Sequence, residues 1–177
     1  MFTRRKKSTS GFTLIELLVV IAIIGVLSSV VLASLNTART KARDARRVTD
    51  IKQIQIALEL YFDGAGNGQY PDRTSGTCSN PPTTAVTDSY GLQALVNSQY
   101  IAVIPRDPSN IATCYQYATQ SGQRRYYHLG SGINLEVSGN PVLSGDRDCN
   151  SFVAGSCNGL TFTNGFPGAD PIYDVTP

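Results

Sequence analysis

The 177-residue chain has a single histidine, His128, and four cysteines, none of them in a CxxC pair. Neither the ligand set nor the spacing of a structural zinc site is there. There is no Gly-rich phosphate loop, no zinc-protease motif and no Ser/His/Asp signature, so the enzyme classes built on those motifs find no support. His128 has no acid or nucleophile near it in sequence and reads as a satisfied core or surface side chain. Proline is missing from residue 12 to residue 63, so nothing in that stretch breaks a helix. The chain reads as a non-enzyme. Its basic balance is also local. Arg4, Arg5, Lys6 and Lys7 precede residue 12, and the remainder holds 11 basic and 13 acidic side chains. The overall charge is therefore no argument for nucleic-acid binding.

What is present starts abruptly after Gly11. Phe12 to Ala33 is apolar except for one acid, Glu16. As a helix these residues rise about 33 Å, enough for a bilayer core. A carboxylate inside a span costs about 2.5–3.5 kcal/mol on insertion scales. A segment that only anchored would gain nothing from it, so Glu16 asks for a partner. The run is longer than the ~7–15 residues of a secretory h-region, although Val31-Leu32-Ala33 is a passable cleavage site. Arg4-Arg5 is followed by two lysines, which does not suit a twin-arginine signal. Basic residues flank the segment on both sides, so charge does not set its orientation. The cysteines favour an oxidising compartment for the C-terminal part.

Beyond residue 33 the pattern changes but does not stop. Ala38, Ala42, Ala45, Val48, Ile51, Ile54, Leu58, Tyr61 and Phe62 recur at three- and four-residue steps, with Arg43, Asp44, Arg46, Arg47, Asp50, Lys52 and Glu59 between them. This predicts an amphipathic continuation of the same helix, ended by Gly64 and Gly66-Asn67-Gly68. One helix of about 52 residues would reach about 78 Å. The chain thus divides into a basic leader (1–11), an apolar helix (12–34), its amphipathic continuation (35–63) and a globular part (64–177).

In that globular part, residues 64–90 read as a surface loop. Asp88 or Ser89 is expected to cap a short helix over Leu92–Val96. Cys114 to Val137 alternates as antiparallel strands do, with Tyr115, Tyr117, Tyr127, Leu129, Leu135 and Val137 as marker positions. After Pro141 the chain reads as loop. A sheet laid on the amphipathic half of the helix gives an α+β architecture. Cys78, Cys114, Cys149 and Cys157 allow three pairings; the expected one is Cys149–Cys157 with Cys78–Cys114. Asp146, Asp148 and Asn150 place oxygens at alternate positions, as a calcium loop does, but without the loop's glycine and final glutamate and with Arg147 between them. A plain polar turn is the competing reading. The basic run Arg39–Arg47 could meet lipid headgroups or DNA phosphates; interleaved Asp44 and Asp50 favour a solvated face.

Gly11-Phe12-Thr13-Leu14-Ile15-Glu16, after a basic leader and before a long apolar helix, resembles the class III signal of type IV pilins and type II secretion pseudopilins. The resemblance implies that a prepilin peptidase cuts after Gly11 on the cytoplasmic face and methylates the new N-terminus at Phe12. It implies that Glu16 acts in assembly, through a neighbouring subunit's Phe12 ammonium. The alternative is that Glu16 caps its own helix. Ala57–Tyr61, Gly68–Pro71, Gly91–Val96, Tyr100-Ile101 and Ile104–Pro108 resemble the major pseudopilin of type II secretion, and that likeness also raises calcium as a ligand. Two features depart from it. Ala33 stands where many members have proline, leaving Gly25 and Ser28-Ser29 as softer points. The Cys149–Cys157 loop is more like that of type IV pilins. The resemblance implies a single-pass precursor in the cytoplasmic membrane, then an extracellular or periplasmic filament of identical or related subunits built by an assembly machinery. A DNA- or ligand-binding minor pilin is the alternative.

Overall fold

The structure, a computed structural model, describes residues 11–73, 91–109, 113–137, 139–151, 153–155, 157, 159–163, 165–168 and 172–177. Helix α1 runs unbroken over Leu14–Asp63, through Gly25, Ser28, Ser29 and Ala33. The chain divides into two compact units, Met1–Arg39 and Thr40–Pro177.

In the first unit the helix is long and apolar enough to cross a membrane, and none of that stretch is buried by its own chain. Leu14, Ile21, Val26 and Val31 are each at least 60% exposed. Such a surface is stable only against lipid or other apolar helices.

In the second unit α1 lays Ile51, Ile54, Ala57 and Leu58 onto a sheet. Full burial of each large side chain contributes about 1.5–3 kcal/mol. The sheet has four antiparallel strands, β1 (Gln116–Gln120), β2 (Tyr127–Gly130), β3 (Phe162–Thr163) and β4 (Asp174–Val175), in the order β3-β1-β2-β4. Tyr117 pairs with Leu129 across β1 and β2, and both face the helix core. Acids on the helix meet tyrosine hydroxyls from the globular part. Tyr115 donates to Asp50 (2.8 Å), and Tyr70 and Tyr127 donate to Glu59 (2.9 and 3.2 Å). Burial first, then the neighbouring carboxylate, pushes the Tyr115 and Tyr70 hydroxyls well above their ordinary pKa. The sheet side of α1 therefore carries charge that a simple apolar stripe does not describe.

Several expectations need correction. Strand β1 begins at Gln116; Cys114 instead makes an isolated bridge with Arg106. Leu135 and Val137 lie in irregular chain, not in a strand. The segment after Pro141 is not all loop: it supplies a 3₁₀ turn, Pro141–Gly145, and both edge strands. These two-residue strands are too short to show a period of two. The short helix α2 is Gln93–Asn97, with Leu92 at its N-cap and no side-chain cap; Asp88 and Ser89 lie outside the described residues.

Candidate assembly site and the clasps of the globular unit

Thr13 stands just before the first residue of α1, and Glu16 lies one turn in. The Thr13 backbone N–H and hydroxyl both donate to Glu16 Oε2 at 2.8 Å, and the Glu16 N–H donates to Thr13 Oγ1 at 3.3 Å. This is a capping box: a Thr and a Glu three residues on satisfy donors that the helix start would leave unpaired. Within one chain, the alternative reading of Glu16 is the arrangement observed. The Thr-x-x-Glu spacing was legible in the sequence as a helix start. Gly11 and Phe12 precede the helix in exposed, non-helical chain.

The basic run is a solvated face only in part: Arg39, Lys41 and Arg46 are exposed, but the side of the helix with Asp44 and Arg47 is not. Arg47 is fully buried and Asp44 is 1% exposed. Arg47 donates to Asp44 (2.6 Å), to both oxygens of Asp107 (2.6 and 3.1 Å) and to Ser109 (3.0 Å), and lies 3.0 Å from Glu136. Arg43 makes a two-pronged contact with Glu136. The Asp44 carboxylate also accepts the backbone N–H groups of Glu136 and Val137, both at 2.9 Å. One turn of α1 thus holds two distant loops. Burial raises the Asp107 carboxyl, but hydrogen bonds from Arg47 and Ser109 outweigh it and leave the group below its usual range. Arg43 and Arg47 hold Glu136 down to about 2. Asp107 and Glu136 lie 60 or more residues from Arg47 in sequence, so helical periodicity gave no sign of them.

A second clasp surrounds His128, which is wholly buried. Its Nε2 lies 2.6 Å from Asp174 Oδ2 and its Nδ1 lies 2.7 Å from Ser151 Oγ. The ring stacks on Phe166 at 3.8 Å. The reading of His128 as a satisfied core side chain holds; its hydroxyl and acid partners, 23 and 46 residues away in sequence, arrive from the C-terminal segment. The distances resemble a Ser-His-Asp triad, yet Ser151 is 2% exposed and its hydroxyl bridges the Phe166 backbone N–H and C=O (2.8 and 3.1 Å). Among the described residues the Ser151 hydroxyl is buried and engaged on Phe166, so the group serves as a staple between β2 and the C-terminal loops. Asp174 also accepts the N–H groups of Asp148 and Cys149.

Cys149 and Cys157 form a disulfide across eight residues. Their sulfurs lie near His128, but bonded to each other they are not metal ligands. Cys114 is disulfide-bonded; its expected partner, Cys78, lies outside the described residues. Asp146, Asp148 and Asn150 are scattered in role. Asp146 follows the 3₁₀ turn and accepts the Asp174 N–H (3.3 Å), Asp148 has a left-handed backbone (φ 50°), and Asn150 bridges Pro167.

An uncovered apolar helix with a capped acid at its start, continued into a helix laid on a small antiparallel sheet, defines a pilin-like chain. Residues 6–32 match the family described as "Prokaryotic N-terminal methylation motif". The chain is 35% identical to a type II secretion system core protein G of Aeromonas hydrophila, over 59% of this chain and 70% of that protein. It is 33% identical to the protein of the same name from Pectobacterium carotovorum, over 68% and 74%. It is 39% identical to the type IV major fimbrial protein FimA of Dichelobacter nodosus, over 75% and 82%. No solved structure gives a significant match. The chain belongs to the type IV pilin and type II secretion pseudopilin family.

Proposed function

We propose that the chain is a structural subunit of a type IV pilus-like or type II secretion pseudopilus filament. The observation that carries this is the apolar first part of α1, which its own chain leaves uncovered. Such a surface suits storage in the cytoplasmic membrane as a single-pass precursor with its N-terminus in the cytoplasm, followed by burial among neighbouring helices. Prepilin peptidase cuts after Gly11 and methylates Phe12, which leaves a cationic amine at the new N-terminus. Chemistry belongs to that enzyme and to the assembly machinery; this chain supplies surface and register.

Glu16 has two oxygens, and both Thr13 bonds end on Oε2. Cleavage after Gly11 leaves Thr13 and the capping box in place. The carboxylate is then held at a fixed position on the helix, and Oε1 is the oxygen offered to a neighbour's Phe12 ammonium. An ion pair at low dielectric repays desolvation only with good geometry, so the pair selects register more than it adds stability. Glu16→Gln keeps one carbonyl oxygen for Thr13 and removes the charge. Cleavage and methylation are expected to persist while filaments disappear. Normal filaments from this variant would remove the assembly role.

Calcium at Asp146, Asp148 and Asn150 remains part of this reading. Calcium takes six to eight oxygens, and the donor set fits in part: of the three, Asp146 lines a cleft of about 240 Å³, together with Arg147 and Asp174. A thermal midpoint raised by calcium in the full chain and not in Asp148→Ala supports the site. Equal midpoints in calcium and in chelator remove it.

A further inference from the structure

Beside the ionic clasp the second unit has an open cavity of about 450 Å³ lined by Lys41, Ala45 and Val48 of α1 and by Val137, Pro141 and Val142. Its volume is that of an ordinary ligand site, and its walls are apolar apart from Lys41 and groups already engaged. Asp44 also borders it, but that carboxylate is spent on Arg47 and two backbone N–H groups. Among the described residues Lys41 makes no ion pair. Apolar walls with one unpaired cation suit an apolar partner that carries one anion.

The chain itself offers such a partner. Glu16 is the one charged side chain between residues 12 and 38, on a helix whose apolar residues are exposed. The spacings agree. Lys41, Ala45 and Val48 fall at i, i+4 and i+7 on one face of α1; so do Glu16, Val20 and Ile23, and residues so spaced share a face. We infer that this cleft receives the apolar helix of a second copy, aligned parallel, with Glu16 beside Lys41, Val20 beside Ala45 and Ile23 beside Val48. The offset is 25 residues, an axial stagger of about 37 Å. Cleft and helix are different patches, so the contact is heterologous and propagates as an open helical polymer rather than closing into a dimer. The Glu16 carboxylate then faces two cations, Lys41 of one neighbour and the Phe12 amine of another. The long lysine stem lies along apolar surface while its ammonium reaches the acid.

This inference rests on the filament reading and is tested so that the two fail separately. The full-length chain carrying Val20→Cys and Ala45→Cys, assembled and then oxidised, is expected to give a ladder of disulfide-linked multimers on denaturing gels. Val20→Cys with Arg46→Cys, an exposed position about 100° round α1 from Ala45, is expected to give none. Filaments seen by electron microscopy without a ladder overturn the cleft and leave the filament. Charge reversal covers the case where the cysteine pair impairs assembly. Lys41→Glu should lower filament yield about tenfold or more, since like charges brought together cost several kcal/mol, while Lys41→Arg should assemble normally. Unchanged yield in Lys41→Glu overturns the inference. Absence of filaments from the processed, unmutated chain instead overturns the filament reading.

Discussion

Replacing Arg47 by Met keeps most of the side chain's stem and deletes its charge. In the folded unit the guanidinium serves Asp44, Asp107, Ser109 and Glu136 at 2.6–3.1 Å while wholly buried. Without it, Asp44 keeps the N–H groups of Glu136 and Val137, and Asp107 keeps Ser109. Both lose the guanidinium that contacts them directly. Removing one partner from a buried ion pair costs about 3–5 kcal/mol, because the other charge stays buried and uncompensated. For a folded unit of this size each kcal/mol moves the midpoint by about 2–4 °C. Arg47→Met should therefore melt roughly 6–20 °C below the parent. The assay is near-ultraviolet circular dichroism of the full chain in detergent, which reports the buried tyrosines Tyr115, Tyr117 and Tyr127. Adding Asp107→Leu to Arg47→Met should recover part of the loss, giving a coupling well outside additivity. A midpoint within a degree of the parent would mean that the clasp does not hold the loops to α1.

Acid should loosen the same clasp. Asp107 and Glu136 are held below their usual ranges, Glu136 at about 2. A carboxylate depressed in the folded state adds stability above its unfolded pKa, near 4, and loses it as pH falls toward the folded value. The midpoint should therefore drop between about pH 4 and pH 2, and Glu136→Gln should flatten part of that drop; an identical profile in the variant would exclude Glu136 as a source. The disulfide closes a loop of eight residues, for which chain entropy gives about 2.5 kcal/mol. The double variant Cys149→Ser/Cys157→Ser should be less stable than the disulfide-bonded parent by about that amount in denaturant titration, and a midpoint equal to the parent's would show that the staple around His128 holds the loop unaided.

The elements governed by local rules were legible in the sequence. Continuous apolar periodicity without proline gave α1 to within two residues of each end, and Gly64 marked its stop. Tyr117, Tyr127 and Leu129 gave the two central strands. The family motif around Gly11, Phe12 and Glu16 could be read from six residues. What escaped depends on chain closure. Arg47, Asp44 and Asp50 look like surface charge on a helical wheel, because the groups that neutralise them, such as Asp107, Glu136 and Tyr115, come from distant segments. His128 looked solitary because Asp174 and Ser151 return only when the C-terminal segment pairs with the sheet. The edge strands are two residues each, and so short a strand leaves no pattern to read. The fold was therefore visible where hydrophobic period decides it, and hidden where buried polar contacts do.

The central claim is that the apolar helix is a filament core released by one cut. Mass spectrometry of the N-terminus of assembled chains tests it most directly. The account predicts a chain that begins at Phe12 and carries one additional methyl group on its α-amine. A chain beginning at Ser34, or filaments built from chains that still carry Met1, would contradict it.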